Sequence, residues 1–239
     1  MSRAPEVRRG SPSGRSPVLL ALPFEGRWLV QNSPARRVPS HGVDVLGQRY
    51  AIDFTGVDER GRTAAEWGWG TILSTEPPER FVGFGRSILA PVDGVVVTVH
   101  DGEPDHEARR SQLALLAYVA GQAARLREGP AAVAGNHVIV RDRVSQAFVA
   151  LVHLQAGSLR VRPGDEVAMG EQLARCGNSG NSTQPHVHVQ AMDSGDLRVA
   201  RGLPIAFAWY RQWDPRGGGI RDVVAGLPEE SAIVAPVPE

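Results

Sequence analysis

Apolar and polar positions along this chain trade places every second residue over short stretches, and that period predicts strands. VLLALPF from Val18, GRWLV from Gly26, QRYAIDF from Gln48, the two halves of ILAPVDGVVVTVHDG, NHVIVRD, AFVALVHL and HVHVQ each read as a strand or a strand pair. In QRYAIDF, Tyr50, Ile52 and Phe54 alternate with Ala51 and Asp53, so Asp53 is expected to face away from the large apolar residues. PGDEVAMGEQL sets single apolar positions among turn residues, the pattern of short strands joined by tight turns. One stretch breaks the period. Within residues 105–128, Leu113, Leu116, Ala117, Ala120 and Ala124 recur at three- and four-residue steps, which predicts an amphipathic helix inserted among the strands.

The fold class expected is therefore mainly β, short antiparallel strands with one inserted helix. Residues 1–16, rich in Arg, Ser, Pro and Gly, predict a disordered leader. Residues 17–228 predict a single domain and 229–239 a frayed tail, with the Trp- and Pro-rich stretch from Leu203 packing over one end of the sheet. Residues 58–87, which include Trp67 and Trp69, predict an irregular covering loop. The apolar run Val18–Leu22 follows basic residues, but it is shorter than a secretory core needs and Pro23 ends it, so it reads as the first strand rather than a signal. No stretch approaches the length of a membrane span.

Composition narrows the function. With 26 basic and 26 acidic residues the formal net charge is zero, so nothing in the overall balance calls for nucleic acid as a partner. Every basic residue is arginine, which excludes Schiff-base, lipoyl-lysine and biotinyl-lysine chemistry. The single cysteine, Cys176, reads as a small core residue.

The chemistry gathers late in the chain. GNSGNSTQP supplies residues that let a backbone approach something closely, and His186-Val187-His188 follows inside an alternating run, so both imidazoles are expected on one face of a strand. His41, His153, His186 and His188 all fall near turns or strand ends, and Asp53 joins them. Zinc hydrolases take three protein ligands from His and carboxylates and leave a further position for water, a count this set can meet. His100, His106 and His137 read as structural histidines.

APVDGVV, GNHVIV, the strand ending in LVHL, VRPGDEVAMGEQLARCGNSGNS and PHVHVQ follow one another between about Leu89 and Met192. In order and spacing they resemble the lysostaphin/LytM-type zinc metallopeptidases, which cut peptide cross-links in bacterial peptidoglycan. The resemblance implies a small barrel-sandwich fold, a zinc cofactor and a peptidoglycan peptide as substrate. It implies that His188 ligates zinc, and that His153 and His186 stand beside the metal to orient or deprotonate water and stabilise the oxyanion. The upstream ligands depart from the family, where a His and an Asp lie four residues apart. Here His41 lies three residues before Asp44 and twelve before Asp53, which sits in YAIDF, a segment similar to the family's Gly-Ile-Asp-Phe type. The expected metal set is His41, Asp53 and His188, with His41 delivered by a longer loop and Asp44 in reserve. Two other readings compete: a metal-free relative that binds peptidoglycan or regulates a hydrolase, and a histidine phosphocarrier using His153. A cell-wall substrate would call for a location outside the cytoplasm, for which the sequence shows no signal. Oligomeric state is not legible.

Overall fold

The computed structural model describes residues 16–64, 75–108, 129–215 and 217–237. In chain order these form β1 (Val18–Leu20), β2 (Trp28–Gln31), β3 (Ile52–Gly56), β4 (Ser87–Leu89), β5 (Gly94–His100), α1 (Pro130–Ala134), β6 (Asn136–Asp142), β7 (Phe148–Leu154), β8 (Glu166–Val167), β9 (Gln172–Arg175), β10 (Val187–Met192), β11 (Gly202–Leu203), β12 (Ile205–Trp213), β13 (Ile220–Gly226) and β14 (Ile233–Pro236). The fold is mainly β, as the two-residue period predicts. One sheet runs β1-β12-β14-β2-β3-β10-β7-β6-β5-β8, with β11 on β10 and β13 on β12, while β4 and β9 form a second, two-stranded sheet. All pairs are antiparallel except β1 with β12.

The sheet does not close, so the expected barrel-sandwich is not a closed barrel here. Closure needs both edges to carry a ladder, and the terminal strands β1 and β8 are three and two residues long. Two further expectations change. Gln48–Tyr50 is a 3-10 turn, and the strand begins only at Ile52. The end of the chain does not fray from 229: β14 inserts between β12 and β2, pairing Val234 with both Gln212 and Trp28. The ladder hydrogen bonds and the burial of Val234 hold it there. The leader to residue 15, Trp67, Trp69 and positions 109–128 of the expected helix lie outside the described residues. Residues 105–107 carry no regular secondary structure, and Ala108 makes an isolated bridge to Glu76. Among the described residues no helix is long and apolar enough to cross a membrane.

Alternation gives the main sheet two faces with different contents. Ile52 and Phe54 of β3, Val149 and Leu151 of β7, and Val187 and Val189 of β10 point into the main core, with Phe24, Trp28 and Phe207. There Phe24 stacks on Trp28 at 4.5 Å and meets Phe54 edge-on at 5.0 Å. Each such side chain contributes roughly 1.5–3 kcal/mol through burial. The residues between them point the other way, where a smaller cluster of Ala134, Ile139, Ala150, Val152, Met192 and Leu197 forms an apolar floor. Cys176 is fully buried in the main core, as expected, and burial pushes its thiol up, away from reactivity.

Asn136 joins the loop after β5 to the end of β7. Its Oδ1 accepts from the Gly102 and Glu103 amides, both at 2.9 Å, and its Nδ2 donates to the Glu103 carbonyl at 2.7 Å and the Leu154 carbonyl at 3.2 Å. The side chain is fully buried, so removing it strands several polar groups away from water. Asn136→Ala is expected to lower unfolding free energy by roughly 2–4 kcal/mol in a denaturant titration. A loss below about 0.5 kcal/mol would show that the network holds nothing.

Candidate metal centre

Asp53 is the centre of the second face. Its strand neighbours Ile52 and Phe54 enter the core, so its own side chain emerges opposite, where it is 5% exposed. The antiparallel register of β10 on β3 sets His188 directly across from Asp53. On the other side of β10, His188 lies across from Val152 of β7. His188 Nδ1 approaches Asp53 Oδ1 at 2.9 Å, and His186 Nε2 lies 3.7 Å from the same oxygen. His41 arrives from the long loop between β2 and β3, its Nε2 3.0 Å from Asp53 Oδ2, which also accepts from Asn32 Nδ2 at 2.7 Å. One ligand atom from each of His41, Asp53 and His188 lies within 4.8 Å of the other two. Asp44, the reserve carboxylate, is outside this group: it pairs with Arg49 at 2.6 Å on the surface. The three-residue spacing from His41 thus brings no second carboxylate to the site.

His153 reaches the cluster by a break in alternation. Val152 already faces the site, so His153 should turn into the core. Instead β6 pairs Asn136 with Leu154 and Val138 with Leu151, which gives β7 one extra residue, and His153 takes a left-handed φ of 64°. This bulge puts two consecutive side chains on the site face before Leu154 returns to the core. The His153 ring then lies 4.7 Å from that of His186 and 6.0 Å from that of His188, between centroids. A left-handed non-glycine residue costs on the order of 1–3 kcal/mol, held in place by the surrounding sheet.

Fixed acceptors set where the ring protons sit. His153 Nδ1 faces the Ser179 carbonyl at 2.9 Å and His186 Nδ1 faces the Gln184 carbonyl at 2.8 Å, so both donate from Nδ1 and leave Nε2 bare towards the site. His188 Nε2 meets Gln190 Oε1 at 2.9 Å, which places its proton there and turns a bare Nδ1 to Asp53. Two lone pairs then face each other, and Asp53 Oδ1 has no hydrogen-bond donor despite full burial. A cation between them satisfies both, so the donor set of two imidazoles and a carboxylate fits zinc.

The charges agree. Burial alone would push the Asp53 carboxyl up, but the His41 imidazole beside it, through its charge and its hydrogen bond, outweighs burial and holds the acid well below the usual range. Burial would likewise lower His41, yet Asp53 raises it on balance. Burial drives His153 well below its ordinary value, helped by the neighbouring His186 and His188, and lowers His186, so both remain neutral near pH 7. A cavity of about 210 Å³ opens over the group, walled on its apolar side by Leu46, Val133, Ala134, Val152 and Leu197.

The other histidines are placed structurally. His100 and His137 pair across β5 and β6 with rings 5.4 Å apart, and His106 Nε2 meets the Gly180 carbonyl. Sequence reasoning passed over Asn32, Gln190 and the apolar wall. Gln190 carried a signal, since it shares the two-residue period of His186 and His188; the wall is assembled from distant segments and carried none.

Residues 81–199 match the model of peptidase family M23. That segment holds His153, His186 and His188, whereas His41 and Asp53 precede it. The chain is similar to the catalytic domain of the prophage-encoded M23 protein EnpA from Enterococcus faecalis, at 17% identity over 64% of this chain and 73% of that one, with a TM-score of 0.37. It is similar to the catalytic domain of lysostaphin from Staphylococcus simulans, at 15% identity over 74% of this chain and 88% of that one, TM-score 0.37. The M23 metalloprotease pseudoalterin, from the deep sea, is 16% identical over 88% of this chain and 96% of that one, TM-score 0.42.

Metal analysis after dialysis checks the donor set. Close to one zinc per chain is expected for the wild type and for Asp44→Ala, with loss of bound metal in Asp53→Ala and His188→Ala and weakened retention in His41→Ala. Full zinc in Asp53→Ala, or its loss in Asp44→Ala, would contradict the assignment.

Proposed function

The chain belongs to peptidase family M23, and on that footing we propose that it is a zinc-dependent metalloendopeptidase hydrolysing peptide bonds in peptidoglycan cross-links. The observation that carries the reading is the convergence of His41, Asp53 and His188 on one point with His153 and His186 beside it. His41 through Nε2, Asp53 through a carboxylate oxygen and His188 through Nδ1 would hold the metal. Bound there, zinc would supply Lewis acidity, polarising a peptide carbonyl and making water acidic enough to attack near neutral pH, with a pKa of about 7.

The chain's own residues handle the protons. His153 and His186 each offer a bare Nε2, held in line by the carbonyl on Nδ1, and burial keeps both neutral and ready to accept. Once protonated, either Nε2–H can stabilise the oxyanion or pass its proton to the departing amine. Their centroids are 4.7 Å apart, so two imidazoliums would repel and a single proton is carried at a time. Leu46, Val133, Ala134, Val152 and Leu197 give the cavity one apolar side against which a substrate side chain can pack. A cell-wall substrate places the protein outside the cytoplasm.

The competing readings fit less well. A phosphocarrier histidine must present a nitrogen to another protein, yet His153 is buried with Nδ1 engaged. A metal-free binding relative has no use for a buried carboxylate oxygen without a donor.

The test is release of free amino groups from purified peptidoglycan by zinc-loaded protein. Cleavage is expected, abolished by a chelator and restored by zinc. His153→Ala and His186→Ala are each expected to retain metal while losing about 10²–10⁴-fold in rate. A fully zinc-loaded wild type that releases nothing from peptidoglycan or from its stem peptides would remove the enzymatic reading.

A further inference from the structure

Gln190 is 4% exposed on the site face of β10, between His188 and Met192. An apolar side chain would fill that position without taking an amide out of water, so the amide needs a reason. Its orientation is fixed from one end. Gln190 Nε2 lies 2.7 Å from the Leu46 carbonyl, which can only accept, so the nitrogen must point there. The oxygen therefore points to His188 Nε2 at 2.9 Å, and an oxygen there requires that nitrogen to donate. The loop that carries His41 is packed closely over the same amide: a Cβ built on Gly47 would lie 3.2 Å from Gln190 Nε2 and 2.7 Å from Met192. Its φ of 77° is one that glycine adopts without strain.

We propose that Gln190 is a positioning residue that fixes the His188 proton on Nε2, leaving Nδ1 as the metal-facing atom, and ties the His41 loop to β10 through the Leu46 carbonyl. One side chain thus sets the polarity of one ligand and the location of another. The part of this inference that concerns metal affinity rests on the zinc reading above, whereas the part that concerns the proton on His188 does not.

Two variants separate the roles. Gln190→Met keeps the volume and removes the bonds to His188 and Leu46 together with the Nε2 contact to Met192 Sδ, while Gln190→Glu keeps the acceptor for His188 and loses the donor to Leu46. Imidazole nitrogen NMR on isotope-labelled, metal-free protein at mildly alkaline pH reads the tautomer directly. The wild type and Gln190→Glu are expected to carry the His188 proton on Nε2, and Gln190→Met to shift it towards Nδ1, facing Asp53. In zinc competition titrations Gln190→Met is expected to bind roughly 10–100-fold more weakly than wild type, with Gln190→Glu closer to wild type. A wild-type proton on Nδ1, or an Nε2 proton that persists in Gln190→Met, overturns the proposal. If Gln190→Met does not fold, Gln190→Glu decides: loss of the Nε2 proton despite the retained acceptor overturns it. If no variant binds zinc, the metalloenzyme reading fails while the tautomer still tests the role of Gln190.

Discussion

A single buried carboxylate governs this structure's chemistry. Taking Asp53 out of water costs several kcal/mol unless charge and hydrogen bonds replace its hydration. The protein answers with His41, His186 and His188 around it and with Asn32 on one oxygen, yet leaves the other oxygen without a donor. The result is a set of acceptors held together by rigid strands, which is the arrangement a divalent cation completes.

The sheet makes that arrangement affordable in geometric terms. The alternation that buries Ile52, Phe54, Val187 and Val189 in the main core delivers Asp53 and His188 to the opposite face, opposite one another in register. The same packing that stabilises the fold therefore aims the site, and no loop has to be ordered to bring these two together. Loops supply the rest: the His41 segment comes over the top, and the turn after β9 offers the Ser179 and Gln184 carbonyls that orient His153 and His186. Orientation through a fixed main-chain acceptor recurs, from Leu46 through Gln190 to His188, and from Ser179 to His153.

Much of this was legible in the sequence because it follows the two-residue period. The strands β6, β7 and β10, the common face of His186 and His188, and the outward turn of Asp53 all come from local alternation. The longer loop for His41 was legible only through the resemblance, since nothing local says where a twelve-residue excursion ends. The bulge at His153 was not legible: AFVALVHL reads as an uninterrupted strand, and the extra residue appears only against β6. Nor was the strand character of the C-terminal stretch. Its tryptophans and prolines suggested a covering tail, but Phe207 and Tyr210 bury themselves in the core and a shift in alternation at Trp209, where φ is 51°, hides the period. The open edges of the sheet are likewise a property of the whole assembly rather than of any segment.

X-ray absorption at the zinc edge of the loaded protein reads the metal's donors most directly. Zinc held by His41, Asp53 and His188 is expected to show a shell of nitrogen and oxygen donors at about 2.0–2.2 Å, containing two imidazoles. A sulfur scatterer, a six-oxygen shell or a shell with fewer than two imidazoles would contradict it.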